Sequence, residues 1–157
     1  MTSKSSLSCQ SESRRRVLLG LLFLPITIDR TSPARAAPDV PVGHLSDLAQ
    51  PWSAVKFTLP DSDGSEMPCI VIHLPGDRWY ASSLICPHNK CTLMYVTDVD
   101  MVRDSFNVET TTPALACPCH FSVFDPAQGG QVIGGPAPNP PLQLRVTVRG
   151  NDVFVGR

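Results

Sequence analysis

Cys86-Pro87-His88 and, further along, Cys117-Pro118-Cys119-His120 are the residues of this chain whose types and spacing could do chemistry. Each run offers a thiol and an imidazole, spaced C-x-H in the first and C-x-x-H in the second. Two such loops can close on a single 2Fe-2S cluster, with thiolates on one iron and neutral imidazoles on the other. Replacing two thiolates by imidazoles lowers the negative charge of the cluster and raises its potential. Two Cys and two His would also close a tetrahedral zinc site. The C-x-H spacing and a second cysteine in each loop, Cys91 and Cys119, favour the cluster. No Ser-His-Asp set, paired carboxylates or phosphate-binding glycine loop stands out, so the chain reads as an electron carrier with no catalytic residue of its own.

The elements that must position these loops read as strands and turns. Sixteen prolines and ten glycines with only 17% charged residues suit a loop-rich, all-β protein, because proline interrupts helices. Ala54–Leu59 alternates and closes on the turn formers Pro60 to Gly64. Cys69–Leu74 is an unbroken apolar run, with Cys69 expected as a buried strand residue, and Trp79–Ile85 leads directly into the first loop. Near the end, Leu142, Leu144, Val146 and Val148 alternate with polar residues, and Gly150-Asn151 turns the chain into Val153–Val155, a closing hairpin. Between His88 and Cys117 lie 28 residues, including a polar excursion from Asp98 to Thr112.

Residues 1–36 have the three parts of an export signal: a basic stretch through Arg14-Arg15-Arg16, an apolar run from Val17 to Ile28, and small residues around Ala36-Ala37. The apolar run falls short of the roughly 20 residues that span a bilayer, so a cleaved leader is expected over a permanent anchor. Ser-Arg-Arg-x-Val-Leu resembles the twin-arginine signal, which exports proteins already folded around a cofactor. The expected location is periplasmic, with membrane tethering only if the leader is retained. Residues 37–53 read as a connecting arm and 54–157 as the folded domain, with a cluster-binding subdomain over about 84–138. Six of the 13 basic residues but only two of the 14 acids precede residue 37. The remainder therefore carries seven bases against twelve acids, a net charge of −5. Such a balance excludes nucleic acid as a partner, since phosphate binding needs a basic face.

The two loops together resemble the Rieske family, an antiparallel β-sandwich with a small cluster-binding subdomain. The resemblance implies one 2Fe-2S cluster, with Cys86 and Cys117 on the inner iron and His88 and His120 on the outer iron near the surface. It implies a disulfide between Cys91 and Cys119, as in the high-potential members, which suits an oxidising compartment. Ser122 matches a serine that donates to a bridging sulfide, and Phe124 replaces the usual tyrosine, so one donor to a cysteine sulfur is lost. Gly134-Gly135-Pro136-Ala137-Pro138 resembles the proline loop that covers the cluster.

Within the family, the stretch from about Val55 to Arg157 is similar to the small subunit of arsenite oxidase, which accompanies a larger molybdenum catalytic subunit. Cys117-Pro118-Cys119-His120-Phe121-Ser122-Val123-Phe124 carries that likeness. It implies a relay from a large oxidoreductase subunit to a cytochrome c-type acceptor. The Gly135–Pro138 loop is closer to the quinol-oxidising cytochrome bc1 type, which stands as the alternative.

Overall fold

A computed structural model describes residues 38–157; the leader, its twin-arginine motif and Cys9 lie outside the described residues. Ten strands form three antiparallel sheets. Strands β1 (Val40–His44), β9 (Arg145–Arg149) and β10 (Asp152–Gly156) make one, in the order β1-β10-β9. Strands β2 (Ala54–Pro60), β3 (Glu66–Leu74) and β4 (Arg78–Ser83) make the second. The third runs in chain order through β5 (Met94–Val96), β6 (Ala114–Ala116), β7 (Val123–Asp125) and β8 (Gln131–Gly134). Helix α1 (Val99–Phe106) is inserted between β5 and β6.

Strand β3 explains why its apolar run does not alternate. Successive side chains point to opposite faces of a sheet, and both faces of β3 are covered. Cys69 and Val71 pack with Leu59, Leu144, Val153 and Val155 against the first sheet. Ile70 and Ile72 turn the other way, onto Leu84, Leu93, Leu115, Phe124 and the two cysteines Cys86 and Cys117. The middle sheet is thus a wall shared by the first sheet on one side and the unit of the third sheet, with its two cysteine loops, on the other. Burying each large aliphatic side chain there contributes roughly 1.5–3 kcal/mol.

The closing hairpin forms as the sequence predicts, with Arg149 opposite Asp152 and Gly150 at φ 62° in the turn. The alternation just before it extends less far than expected. Residues 142–144 pair with β4 through Ser83 N–H to Leu142 O and Leu144 N–H to Ala81 O, before the chain crosses to β10. That crossing leaves Leu142 outward and exposed.

Two segments differ from the sequence reading. Within the stretch read as a connecting arm, Val40–His44 is strand β1, paired from Val40↔Val155 to His44↔Asp152. An unpaired edge on β10 would leave its backbone groups without partners, and β1 supplies them. A 3-10 turn (Leu45–Leu48) follows and drives Leu48 into the core. The polar excursion from Asp98 contains α1. The Asp98 carboxylate accepts from the N–H groups of Asp100 (3.0 Å) and Met101 (3.3 Å), capping the helix start. Asn107, left-handed at φ 54°, closes its end. Val102 and Phe106, four residues apart, bury its inner face on Val96, Ala114, Ala116 and Val123 of the third sheet.

Candidate metal centre

The two cysteine-bearing loops share one backbone plan. In the first, Cys86 N–H donates to Cys91 O (2.8 Å) and Lys90 N–H to Cys86 O (2.9 Å). In the second, Cys117 N–H donates to Ser122 O (2.8 Å) and Phe121 N–H to Cys117 O (3.0 Å). Each loop has proline after its leading cysteine and a left-handed residue four positions on, Lys90 at φ 58° and Phe121 at φ 60°. Strand β4 leads into the first loop, and β6 and β7 flank the second.

These loops bring the expected ligands together in two pairs, thiol beside thiol and imidazole beside imidazole. Cys86 and Cys117 are buried together in one apolar cluster with Leu84, Leu115 and Phe124. Burial pushes the Cys86 thiol up from its ordinary range and the neighbouring Cys117 adds to this; the backbone N–H groups of His88 and Asn89 pull it down. His88 and His120 are exposed, their rings 4.7 Å apart between centroids and nearly perpendicular at 88°. Cys91 and Cys119, the second cysteine of each loop, are joined by a disulfide. The sulfurs of Cys91, Cys117 and Cys119 lie within 4.8 Å of one another, but the disulfide consumes two of them, so they are not a second metal site. Instead the disulfide ties the loops together beside the thiols.

Ser122 is wholly buried; its Oγ accepts from Ala137 N–H (3.1 Å), and among the described residues its hydroxyl proton has no acceptor. Gly135, at φ 78°, rests against the second loop so closely that a Cβ there would come within 2.5 Å of Phe121 O and Ser122 Cα. The proline loop therefore lies on the second cysteine loop, with Ala137 buried in the same apolar cluster as Cys86 and Cys117. Phe124 is fully buried there too and brings no hydroxyl. Two buried neighbouring thiols, two exposed neighbouring imidazoles and a buried O–H with no acceptor among the described residues fit the donor set of a mixed-ligand 2Fe-2S group.

Sequence reasoning used Phe121 as a mark of family likeness and missed its left-handed backbone and its contact with α1. A bulky side chain at positive φ is uncommon, yet its ring is 55% exposed and meets Phe106 of α1 edge-on at 6.0 Å. The only signal available was its place in a loop position that glycine fills most easily. His73, which had no evident partner in the sequence, stacks on Trp79 at 4.7 Å, and Cys69 is buried in β3 with its thiol pushed up to about 11 by desolvation.

A β-sandwich carrying a separate small sheet, whose end loops gather two thiols and two imidazoles, defines an iron–sulfur electron carrier. The family model of the Rieske [2Fe-2S] domain matches residues 40–149, and the chain belongs to that family. It is accordingly a Rieske electron-transfer protein with a 2Fe-2S cluster. A putative respiratory nitrate reductase Rieske subunit from Haloferax mediterranei is 38% identical over 68 residues, 43% of this chain. The match spans only 24% of that relative's length. The plasma membrane Rieske protein PetC3 from Synechocystis PCC 6803 superimposes with a TM-score of 0.54 at 25% identity, over 74% of this chain and 97% of that one. The soluble domain of Rieske protein II (soxF) from Sulfolobus acidocaldarius gives 0.59 at 20% identity, over 75% and 76%, a likeness of fold. Among the described residues no helix is long and apolar enough to cross a membrane.

Proposed function

We propose that Cys86 and Cys117 hold the inner iron and His88 and His120 the outer iron, and that the chain relays single electrons as the small subunit of a larger oxidoreductase. The observation that carries this reading is the burial gradient, with both thiols enclosed and both imidazoles at the surface. Electrons then enter and leave by the histidine edge. The large subunit is of the arsenite oxidase-like molybdenum class on motif resemblance, and the archaeal relative is named as a subunit of a nitrate reductase. Either way the chain is the electron-carrying partner, passing electrons to a cytochrome c-type acceptor. The leader motif supports twin-arginine export to the periplasm after the cluster is inserted.

Purification of the native assembly tests this. The expected result is co-purification with a molybdenum-containing large subunit and a reduced-state EPR signal with two coupled imidazole nitrogens; a colourless, zinc-loaded protein would refute it. The quinol-oxidising alternative is supported by the Gly135–Pro138 loop and the likeness to a plasma membrane Rieske protein. N-terminal sequencing separates the two: a mature start at Ala37 or Pro38 favours the soluble subunit, and a retained leader favours the membrane complex.

A further inference from the structure

The charges of the cluster-binding unit are arranged unevenly. Between residues 84 and 138 the acids are Asp98, Asp100, Asp104, Glu109 and Asp125, and the bases are Lys90 and Arg103. Asp125 is buried and accepts from Ala127 N–H and the Gln128 amide. Every exposed acid of the unit therefore lies on the inserted segment 98–109. Arg103, the single base of that segment, is already paired with Asp100 (2.8 Å) and Asp104 (3.1 Å), leaving a local net charge of −3. Five of the seven bases after residue 37 sit outside the cluster-binding unit.

The same segment carries exposed apolar surface. Met94 is 41% and Met101 49% exposed, and both line one groove between β5 and α1 with Tyr95 and Asp98. Met94 pairs with Ala116, the residue before Cys117, so the groove begins beside the second cysteine loop. At the other end of α1, Phe106 holds the ring of Phe121, the residue after His120. Phe121 is doubly unfavourable for folding, since a left-handed non-glycine backbone costs roughly 1–2 kcal/mol and the ring is largely in water. A strained residue kept at a site is a reason to look for function there. An eight-residue helix is about 12 Å long, so Asp100 and Asp104 lie within about one Debye length of Phe106 along its axis, and Phe106 meets the ring of the residue next to His120.

We infer that the Met94–Met101 groove, the acidic face of α1 and the Phe121 ring form one docking surface for a positively charged redox protein, whose electron-carrying group lies in an apolar patch ringed by Lys and Arg. The inference rests on the relay reading above and names its partner's chemistry. Apolar contact at the centre gives lifetime to the complex, and the acidic flank gives orientation and a fast encounter.

The test uses the full protein with its cluster, titrated calorimetrically with a basic c-type cytochrome and, in parallel, an acidic one. The basic cytochrome is expected to bind at low ionic strength and to weaken at least tenfold in 0.5 M salt (on the order of a 4 Å screening length). Asp104→Lys with Glu109→Lys turns the segment from −3 to +1 and should weaken the basic cytochrome at least tenfold while strengthening the acidic one. With this variant, oxidation of the reduced protein by the anion ferricyanide should become faster, opposite in sign to the cytochrome. Phe121→Gly suits the left-handed backbone, so the loop keeps its shape; it should weaken binding severalfold at low and high salt alike. Absence of binding, or an affinity indifferent to the charge reversal, overturns the docking surface. Electron flow to cytochromes that ignores these charges leaves the relay standing and the surface refuted. Charge-dependent binding with no electron flow does the reverse.

Discussion

Replacing both Cys91 and Cys119 by serine removes the disulfide that ties the two cysteine loops, and its effect depends on whether the cluster is bound. The cysteines are 28 residues apart. In the chain-entropy description, opening a loop of that length releases about 12 cal/mol/K in the unfolded chain, or about 3.6 kcal/mol at 25 °C. A domain of this size has only about 5–15 kcal/mol in total. The proposed ligands Cys86 and Cys117 bracket nearly the same loop, so the bound cluster is a second cross-link across the same gap. Once one link is closed, the other restricts only the short stretches 86–91 and 117–119, and its entropic share becomes small. Denaturant unfolding of the cluster-free double variant should therefore show a loss of about 3–4 kcal/mol against the cluster-free parent. The cluster-loaded pair should differ by less than about half of that, while absorbance bleaching by chelator runs faster in the variant. Equal losses in the two forms would refute the idea that cluster and disulfide close the same loop, and no loss in either would refute the role of the disulfide itself.

Further outcomes follow from the residues around the thiols. Ser122→Ala removes a buried hydroxyl and leaves Ala137 N–H unpartnered. Hydrogen bonds to charged groups are worth roughly 1.5–3 kcal/mol. If the reduced cluster gains about half of that, a one-electron potential falls by about 30–65 mV; an unchanged potential in an EPR-monitored titration removes Ser122 from the tuning set. Phe124→Tyr restores the missing hydroxyl and should raise the potential by some tens of millivolts (roughly 1 kcal/mol of added donor strength), provided the visible spectrum shows an intact cluster; no rise sinks the reading. Gly135→Ala combines a positive φ with a collision against Phe121 O and Ser122 Cα. Its expected loss is about 2–4 kcal/mol, from strain and overpacking together, with faster cluster bleaching; stability within 0.5 kcal/mol of the parent (about the scale of a neutral surface change) contradicts the close approach.

The metal motif was legible because its chemistry demands particular residue types within a few positions. Cys86-Pro87-His88 and Cys117-Pro118-Cys119-His120 announce themselves without any tertiary information. The unbroken run in β3 and the Gly150-Asn151 turn were legible for a similar reason, since burial on two faces and a two-residue turn both write local patterns. Strand β1 was hidden because its partner is more than 100 residues away, and Val40 and Val42 alone make too short a pattern. Helix α1 was hidden by its length: eight residues bury only Val102 and Phe106. The left-handed backbone of Phe121 follows from loop closure, which a phenylalanine does nothing to advertise.

The repeated loop plan also accounts for an asymmetry that the ligand spacing alone leaves puzzling. With the same backbone hydrogen bonds in both loops, equivalent positions hold His88 against Cys119, Asn89 against His120, and Cys91 against Ser122. A strictly repeated side-chain set would have used the third position of each loop for histidine and left no disulfide. Moving the second histidine on by one frees that position for Cys119, which reaches the last residue of the opposite loop, Cys91. The last residue of its own loop, Ser122, is then spared from cross-linking and keeps the hydroxyl proposed to tune the cluster. One repeated backbone thus supports the proposed ligands, a covalent tie and a buried hydroxyl. The inserted helix between the loops is the part that owes nothing to this plan, which is why partner choice is best sought there.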